Sequence, residues 1–246
     1  MARQNHREGQ HFVFMILSGH DSVCLLRLQK ALLRSCLCAL CIALCQSALA
    51  DVHYVLGGNS NATAPYTNWA TAAASIQHAV DAAVDGDEIV VTNGAYGGVG
   101  VGKPLSVRSV NGPQFTTVFG GVSLANGDTL SGFTVTHGGR LGAVIGANAR
   151  GVWCGIRSSA VVSNCVITGN YAFASGDAYG GGAYGGTLIN CILTDNYVLD
   201  FLHSSYGGGA YGCTLNNCVL SGDSAGDAFG STASTFGFGV AQLTAY

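Results

Sequence analysis

The sequence predicts an all-β fold, a parallel β-helix, and three observations support this fold class. Residues 179–191 recur as residues 206–218 with an offset of 27 at every matched position. A period of about 20 to 50 residues is typical of one supersecondary unit stacked on copies of itself. Short β-branched runs alternate with Gly, Asn, Asp and Ser, and 37 of the 246 residues are glycine, which favours strands and turns over helical repeats.

Equivalent residues of successive repeats should lie above one another in such a fold. Each strand pairs with the same strand one winding away, about 4.8 Å along the axis. The spacing predicts two rows of stacked side chains, a thiol row of Cys165, Cys191 and Cys218 and an amide row of Asn170, Asn196 and Asp223. Asn side chains hydrogen-bond one another at this spacing. An ionised aspartate cannot donate a hydrogen bond, so the amide row is expected to end at Asp223.

Residues 1–50 are predicted to be a signal peptide or leader. Three basic residues between positions 27 and 34 precede an apolar run at 37–44, and Ala48-Leu49-Ala50 follows. A basic region, a short apolar core and an Ala-x-Ala end are the three parts of a secretory signal. We therefore expect cleavage after Ala50 and a secreted or cell-surface protein. No run of eighteen apolar residues follows position 50, so the mature chain is not expected to span a membrane.

The cysteines predict free thiols in the mature domain. Five of the ten cysteines leave with the leader, and the other five are Cys154, Cys165, Cys191, Cys213 and Cys218. An odd number cannot pair completely within an exported chain. A bond between Cys165 and Cys191 is compatible with the spacing of a ladder, but inward-facing thiols that act as small apolar side chains are the favoured interpretation.

The domain at 51–246 is predicted to open with a strand and a capping helix. The strand is expected at 53–55. Apolar residues spaced three and four apart predict an amphipathic helix at 72–84, a cap at about 71–85, which ends at Asp85-Gly86-Asp87. Further strands are predicted at 88–92, 105–110, 116–119, 130–136 and 161–168, with Asn-Gly corners at 93, 111 and 126.

The clearest repeats fall at 163–230, and the pattern decays beyond them. No second helix or run of basic residues follows, and an uncovered strand edge invites pairing with another strand. We expect an uncapped or truncated end, whose edge pairs with further windings or with another chain.

Two segments resemble known families. Gly-Gly-Ala-Tyr at 181–184 and at 208–211, each followed by Asn-Cys, resembles the GGA-(I/L/V) and FxxN repeats of polymorphic outer-membrane protein passengers. Residues 69–109 resemble the first coil of secreted bacterial β-helix proteins of the pectin-lyase-like superfamily. The resemblance implies a right-handed, single-stranded parallel β-helix. It does not fix an activity, because that superfamily holds lyases, hydrolases, epimerases and non-catalytic surface proteins.

The charge of the domain argues against anionic ligands. Five basic and eleven acidic residues follow Ala50, a net charge of −6. Nucleic acids and anionic polysaccharides are therefore not expected as partners. The Asn-Thr-Asp, Asp-Asp and Gly-His-Gly steps of polygalacturonase-type hydrolases are absent, and His137-Gly138-Gly139 is interpreted as a corner after a strand.

The acidic residues are expected to lie in solvated turns. This applies to Asp85, Asp87 and Glu88 and to a second group that could hold Ca²⁺ between windings: Asp177, Asp195, Asp200, Asp223 and Asp227. The Ca²⁺-binding nonapeptide of β-roll proteins is absent, so Ca²⁺ is the less favoured interpretation and no cofactor is predicted.

Four tyrosines are the candidate binding residues. Tyr179, Tyr184, Tyr206 and Tyr211 recur in the Gly-rich phrase, and stacked aromatic rings could hold a neutral sugar or a protein partner, with half of them expected in the core. The predicted function is that of an exported, non-catalytic β-helix protein in adhesion or recognition. The alternative is a polysaccharide lyase or glycoside hydrolase whose catalytic windings lie outside this sequence.

Overall fold

A computed structural model describes residues 50–138, 151–155, 158–174, 177–200, 205–227 and 240–241. The chain divides into two units, Met1–Leu49 and Ala50–Tyr246. All described residues belong to the second unit. The predicted leader therefore lies outside the described residues except for Ala50, as do positions 201–204 and 228–230 of the predicted repeats.

The first part of the domain carries the single α-helix found among the described residues. Helix α1 spans Ile76–Ala82, and the Ser75 hydroxyl accepts a hydrogen bond from the His78 amide at its N-terminus. A 3-10 turn at Trp69–Thr71 precedes it. The helix is shorter than predicted because Ala73 is extended and bridges to Val55 of the first strand. No helix in the described part of the chain is long and apolar enough to cross a membrane.

The strands are short, between two and eight residues. They are β1 Val52–Val55, β2 Glu88–Val91, β3 Gly94–Gly100, β4 Ser106–Ser109, β5 Thr116–Ser123, β6 Thr129–Ser131, β7 Thr134–Thr136, β8 Val152–Gly155, β9 Val161–Ser163, β10 Val166–Thr168, β11 Tyr171–Ala174, β12 Ala178–Tyr179, β13 Ala183–Gly185, β14 Thr187–Ile189, β15 Ile192–Thr194, β16 Tyr197–Asp200, β17 Ser205–Tyr206, β18 Ala210–Tyr211, β19 Thr214–Asn216, β20 Val219–Ser221, β21 Ser224–Asp227 and β22 Val240–Ala241.

The strands form four sheets. The order is β1-β2-β4-β6-β9-β14-β19 in the first and β20-β15-β10-β7-β5-β8-β13-β18-β22, with β3 beside β5, in the second. The third sheet is β11-β16-β21 and the fourth is β12-β17. The pairs described are parallel, and Thr187 pairs with Val161 of the repeat before it and with Thr214 of the repeat after it. The domain is therefore all-β with parallel strands in curled sheets, which is compatible with a β-helix.

The segments predicted at 88–92, 105–110 and 116–119 contain β2, β4 and the first half of β5, whereas β8 was not predicted. The segments predicted at 130–136 and 161–168 each contain two strands, because Gly132 and Asn164 take positive φ values of 81° and 52° and break the extended chain. Strand β3 was not predicted. Its sequence is rich in glycine, which is depleted in strands generally, and it is held by its pairing with β5.

The core consists of rows of inward-facing apolar residues. One row in the first sheet contains Ile89, Val107, Leu130, Val162 and Leu188, which pair in register and are at most 1% exposed. Full burial of one such side chain contributes about 1.5–3 kcal/mol. Because side chains alternate along a strand, the neighbours of Val107, Leu130, Val162 and Leu188 lie on the outer side, where a partner can reach them.

Candidate functional site

The four candidate tyrosines lie on the outer side of their strands. Tyr179 pairs in register with Tyr206, and Tyr184 with Tyr211. All four are half-buried. The preceding residue is fully buried in each case: Ala178, Ala183, Ser205 and Ala210. The expectation that half of the tyrosines belong to the core is therefore wrong, because strand alternation places the small neighbour inside and the tyrosine outside.

The four rings form one group, which we call the tyrosine cluster. The centroids of Tyr179 and Tyr206 lie 5.1 Å apart with an interplanar angle of 9°, and those of Tyr184 and Tyr211 lie 5.8 Å apart at 14°. A tilted contact of 4.7 Å between Tyr179 and Tyr211 joins the two stacked pairs. Offset stacks and tilted contacts are the geometries that aromatic rings prefer, so the cluster is held by its own rings.

The cluster presents neutral phenols. The Tyr179 hydroxyl donates to Asp177 Oδ2 at 3.1 Å. Burial and the Asp177 carboxylate together raise the pKa of Tyr179 to about 12, and burial raises the pKa of Tyr184 as well. Both hydroxyls keep their protons at neutral pH, so Tyr184 can donate a hydrogen bond to a partner, whereas Tyr179, whose proton is bound to Asp177, can accept one.

Trp153 extends the outward aromatic row and was missed by the sequence analysis. It lies on β8 in register with Tyr184 on one side and with Ser123 on the other, and it is 40% exposed. The available signal was the alternation Val152-Trp153-Cys154, in which the two flanking residues are buried. Its phrase is not a copy of the tyrosine repeats, which is why repeat matching passed over it.

The cysteines of the predicted thiol row occupy equivalent positions. Cys165, Cys191 and Cys218 directly precede β10, β15 and β20, which pair in register. All three are free thiols, and Cys218 is less buried than the other two. Cys191 Sγ lies 3.5 Å from the Val162 carbonyl, and Cys218 Sγ lies 3.4 Å from that of Leu188. Burial raises the pKa of Cys165, so this thiol packs as a small apolar group.

The predicted amide row is a chain of buried hydrogen bonds. Asn170 Nδ2 donates to Asn196 Oδ1 at 3.0 Å, and Asn196 Nδ2 donates to Asp223 Oδ1 at 2.8 Å. The same amide nitrogens reach the carbonyls of Val135 and Ile167. Each residue in the row is at most 2% exposed. The row therefore ties three successive repeats together.

Asp87 does not lie in a solvated turn as predicted. Asp85 is exposed, but Asp87 is 2% exposed and its Oδ2 lies 2.9 Å from His53 Nε2. Spacing alone could not reveal this pair, because the partner lies 34 residues earlier. The prediction was wrong for Asp87 because the turn folds back against β1, where the carboxylate also accepts from the Asp51 and Val84 amides.

The remaining candidates do not converge on one site. His137 has a positive φ of 52° and contacts the neighbouring Thr136 hydroxyl, as expected of a corner residue. The structure describes the backbone of Asp200 and Asp227 but not their side chains. Within the described ranges, no three His, Cys, Asp or Glu side chains are placed to hold a metal ion.

No protein-family model, curated protein or solved structure matches the chain. Among the described residues, the tyrosine cluster and Trp153 together place five aromatic side chains on the outer side of neighbouring strands.

Proposed function

We propose that the protein is an exported, non-catalytic β-helix repeat protein that acts at the cell surface or outside the cell in adhesion or recognition. The observation that carries this proposal is the tyrosine cluster, four outward tyrosines in two stacked pairs on adjoining strands. Tyrosine is enriched at protein interfaces because one residue offers a large apolar ring and a hydrogen-bonding hydroxyl.

We further propose that the domain is a right-handed parallel β-helix of the pectin-lyase-like kind, with repeats like those of polymorphic outer-membrane protein passengers. The parallel pairing of equivalent strands in neighbouring repeats supports it, as does the return of the same strand order in successive repeats. The amphipathic helix between β1 and β2, at the edge of the first sheet, supports the proposal that it caps the β-helix.

The packing of the cluster favours a surface protein as the partner. Within each stacked pair the inner ring faces cover one another, so a partner meets ring edges and hydroxyl groups. Such a mixed apolar and polar surface suits the side chains of a protein interface. No Lys or Arg follows Arg157 in the sequence, so charge steering of an acidic partner is not expected.

The buried carboxylates make hydrogen bonds within the fold, which supports a non-catalytic role. Asp87 pairs with His53, Asp128 accepts from the Leu105 amide at 2.9 Å, and Asp223 ends the amide row. Each of these carboxylates is at most 2% exposed and already serves the fold. A general acid or base must instead reach the substrate.

Adhesion assays test the proposal. Beads coated with the protein should bind a mucin-coated or collagen-coated surface above an albumin-coated one, and a Tyr184→Ser/Tyr211→Ser variant should lose most of that binding. The matched control is Tyr171→Ser/Tyr197→Ser, which removes another stacked pair, with centroids 5.6 Å apart. Equal binding by both double variants, or no binding beyond albumin, would refute the tyrosine cluster as the contact surface.

Two further measurements test export and the lack of catalysis. Expression with the complete leader should yield an exported protein whose first residue is Asp51. Incubation of the purified mature protein with pectate, galacturonan and neutral glycans should release neither unsaturated products nor new reducing ends. Release of either product would favour the polysaccharide lyase or glycoside hydrolase alternative.

A further inference from the structure

Two adjoining grooves lie against the exposed side chain of Trp153 on the β5 side of β8, whereas Tyr184 of the tyrosine cluster lies on the other side of β8. The first has a volume of about 380 Å³ and the second about 430 Å³. Both are within the range of small-molecule sites in proteins, about 300–1,000 Å³. Trp153 and Ser123 line both grooves, so the indole and the Ser123 hydroxyl stand where the two grooves meet.

A β-bulge shapes the first groove. The register between β3 and β5 shifts between Gly97 and Val99. A β-carbon on Gly98 would lie 2.8 Å from the Gly120 carbonyl oxygen, and Gly120 itself has a positive φ of 106°. Glycine is therefore required at this close approach, and the floor of the groove is backbone. Bulges of this kind are frequent beside binding sites, where they redirect neighbouring side chains.

Among the described residues that line the two grooves, none is charged, and the polar ones are Ser123, Asn126, Cys154 and Ser158. Burial raises the pKa of Cys154 to about 12, so this thiol is neutral. These described residues offer neither an anionic nor a cationic ligand a partner of opposite charge. The lining instead combines an aromatic face with small hydrogen-bonding groups.

We propose that the Trp153 grooves form a binding site for a neutral saccharide. A sugar ring has an apolar face of C–H groups, which can pack on the exposed indole, and a rim of hydroxyls, which can bond to Ser123, Asn126 and the glycine backbone. Two adjoining grooves that share one indole can take consecutive residues of an oligosaccharide. This site goes beyond the proposed contact surface, since it does not use the tyrosine cluster.

Tryptophan fluorescence provides a direct test. The chain contains two tryptophans, so Trp69→Phe leaves Trp153 as the only reporter in the full chain. Cellohexaose, maltohexaose, mannohexaose and xylohexaose are titrated in turn, with hexagalacturonate as the anionic comparison. At least one neutral hexasaccharide should shift the Trp153 emission to shorter wavelength and reduce its quenching by acrylamide, because a stacked sugar removes water from the indole.

Two glycines of β3 give a matched pair of variants. A β-carbon on Gly100 or on Gly97 would meet no atom within 4 Å, but only Gly100 lines the first groove. Gly100→Val should weaken binding of the hexasaccharide about tenfold or more, while Gly97→Val should not. Trp153→Ala, measured by calorimetry, should also lose about tenfold or more in affinity, the usual effect of removing one aromatic stacking contact. Circular dichroism monitors the fold of each variant.

The possible outcomes separate cleanly. Binding of a neutral hexasaccharide that is lost in Gly100→Val and kept in Gly97→Val supports the site. The proposal is overturned if no neutral hexasaccharide binds, if hexagalacturonate binds as tightly, or if the two valine variants bind alike. Adhesion through the tyrosine cluster is measured separately, so either proposal can fail without the other.

Discussion

At the residue scale, the end of the amide row is the most informative position. Asp223 Oδ1 accepts hydrogen bonds from both the amide and the Nδ2 of Asn196, as the Oδ1 of Asn196 does from Asn170. The other carboxylate oxygen, Oδ2, is buried without a hydrogen-bond partner among the described residues. By register, it occupies the place of an amide nitrogen and faces the Leu193 carbonyl, which is equivalent to that of Ile167.

Asp223→Asn should therefore stabilise the protein. The new Nδ2 can donate to the Leu193 carbonyl, and removal of a buried unsatisfied group is worth roughly 1–3 kcal/mol. Burial raises the pKa of Asp223, so its contribution to stability is present below the unfolded pKa of about 3.9 and declines as pH rises through the folded value. The gain in urea midpoint should be larger at pH 8 than at pH 4.

Asn196→Asp is the matched control for this prediction. It places a second carboxylate next to Asp223 and removes the donor to the Ile167 carbonyl, so it should destabilise the protein. If the gain in urea midpoint from Asp223→Asn is no larger at pH 8 than at pH 4, the ionised carboxylate of Asp223 does not destabilise the folded state.

At the element scale, one buried pair joins β1 to the turn between α1 and β2. His53 on β1 contacts the Pro65 carbonyl through Nδ1 and Asp87 through Nε2. Burial alone would raise the pKa of Asp87, but hydrogen bonds from the Val84 amide, His53 and the Asp51 amide hold it below its ordinary value. Both ring nitrogens of His53 therefore lie against oxygen atoms, those of the Pro65 carbonyl and the Asp87 carboxylate.

Asp87→Asn should be strongly destabilising near neutral pH. It replaces one accepting oxygen of Asp87 with an amide NH2 group, so buried donors such as the Val84 amide lose their acceptor, and each unsatisfied group lowers the free energy of unfolding by about 1–3 kcal/mol. Because the folded pKa of Asp87 is depressed, its stabilisation exists above the unfolded pKa and is lost as pH falls through the folded value. Denaturation curves at pH 7 and pH 3 should show the difference shrinking in acid.

The exposed neighbour Asp85 supplies the control. Asp85→Asn removes the same charge two residues away, and surface substitutions of this kind usually change stability by less than about 0.5 kcal/mol. If both variants lower the free energy of unfolding equally, the contact between His53 and Asp87 does not stabilise the packing of the turn against β1.

The glycine triplets are a second feature of the elements. The amides of Gly181 and Gly182 donate to the carbonyls of Gly207 and Gly208 one repeat later, both at 3.1 Å. A β-carbon on Gly182 would lie 2.5 Å from the Gly209 carbonyl oxygen and 2.9 Å from Asn196 Nδ2. The triplets therefore allow backbones of successive repeats to approach each other beside the tyrosine cluster.

Gly182→Ala should destabilise the protein by roughly 1–3 kcal/mol, the usual range for overpacking. The conformation of Gly182 is open to alanine, since its φ is not positive, so the loss reports crowding alone. Gly97→Ala has no atom within 4 Å of the new β-carbon and should change thermal unfolding little. Similar melting temperatures for the two variants would argue against close approach at the triplets.

At the scale of the whole domain, the repeat period predicted more than local propensity did. The offset between successive repeats correctly placed the parallel partners of the later strands. The period also predicted that Cys165 lies beside Cys191 and Asn170 beside Asn196, whereas strand β3 was missed because its glycines carry no strand signal. Contacts between non-repeated segments, such as His53 with Asp87, depend on how the chain packs and leave no pattern in the sequence.

The candidate site could be predicted from the sequence only where its residues belong to the repeats. The tyrosine cluster follows from a repeated phrase, so its four members could be named from the sequence. Which side of the strand they occupy required the register, and the Trp153 grooves required the bulge between β3 and β5. A surface made of repeats is readable from the period, but a groove formed by one irregular pairing is not.

The most direct test of stacked repeats measures distances along one outward column of the first sheet. Val52, Val161, Thr187 and Thr214 belong to that column, and spin labels can be placed there on an encoded ketone amino acid that spares the native thiols. From Val52, four, five and six strand steps give about 19, 24 and 29 Å at ~4.8 Å per step. Pulsed electron paramagnetic resonance should return three distances in equal increments, and distances that do not increase with each repeat would contradict the account.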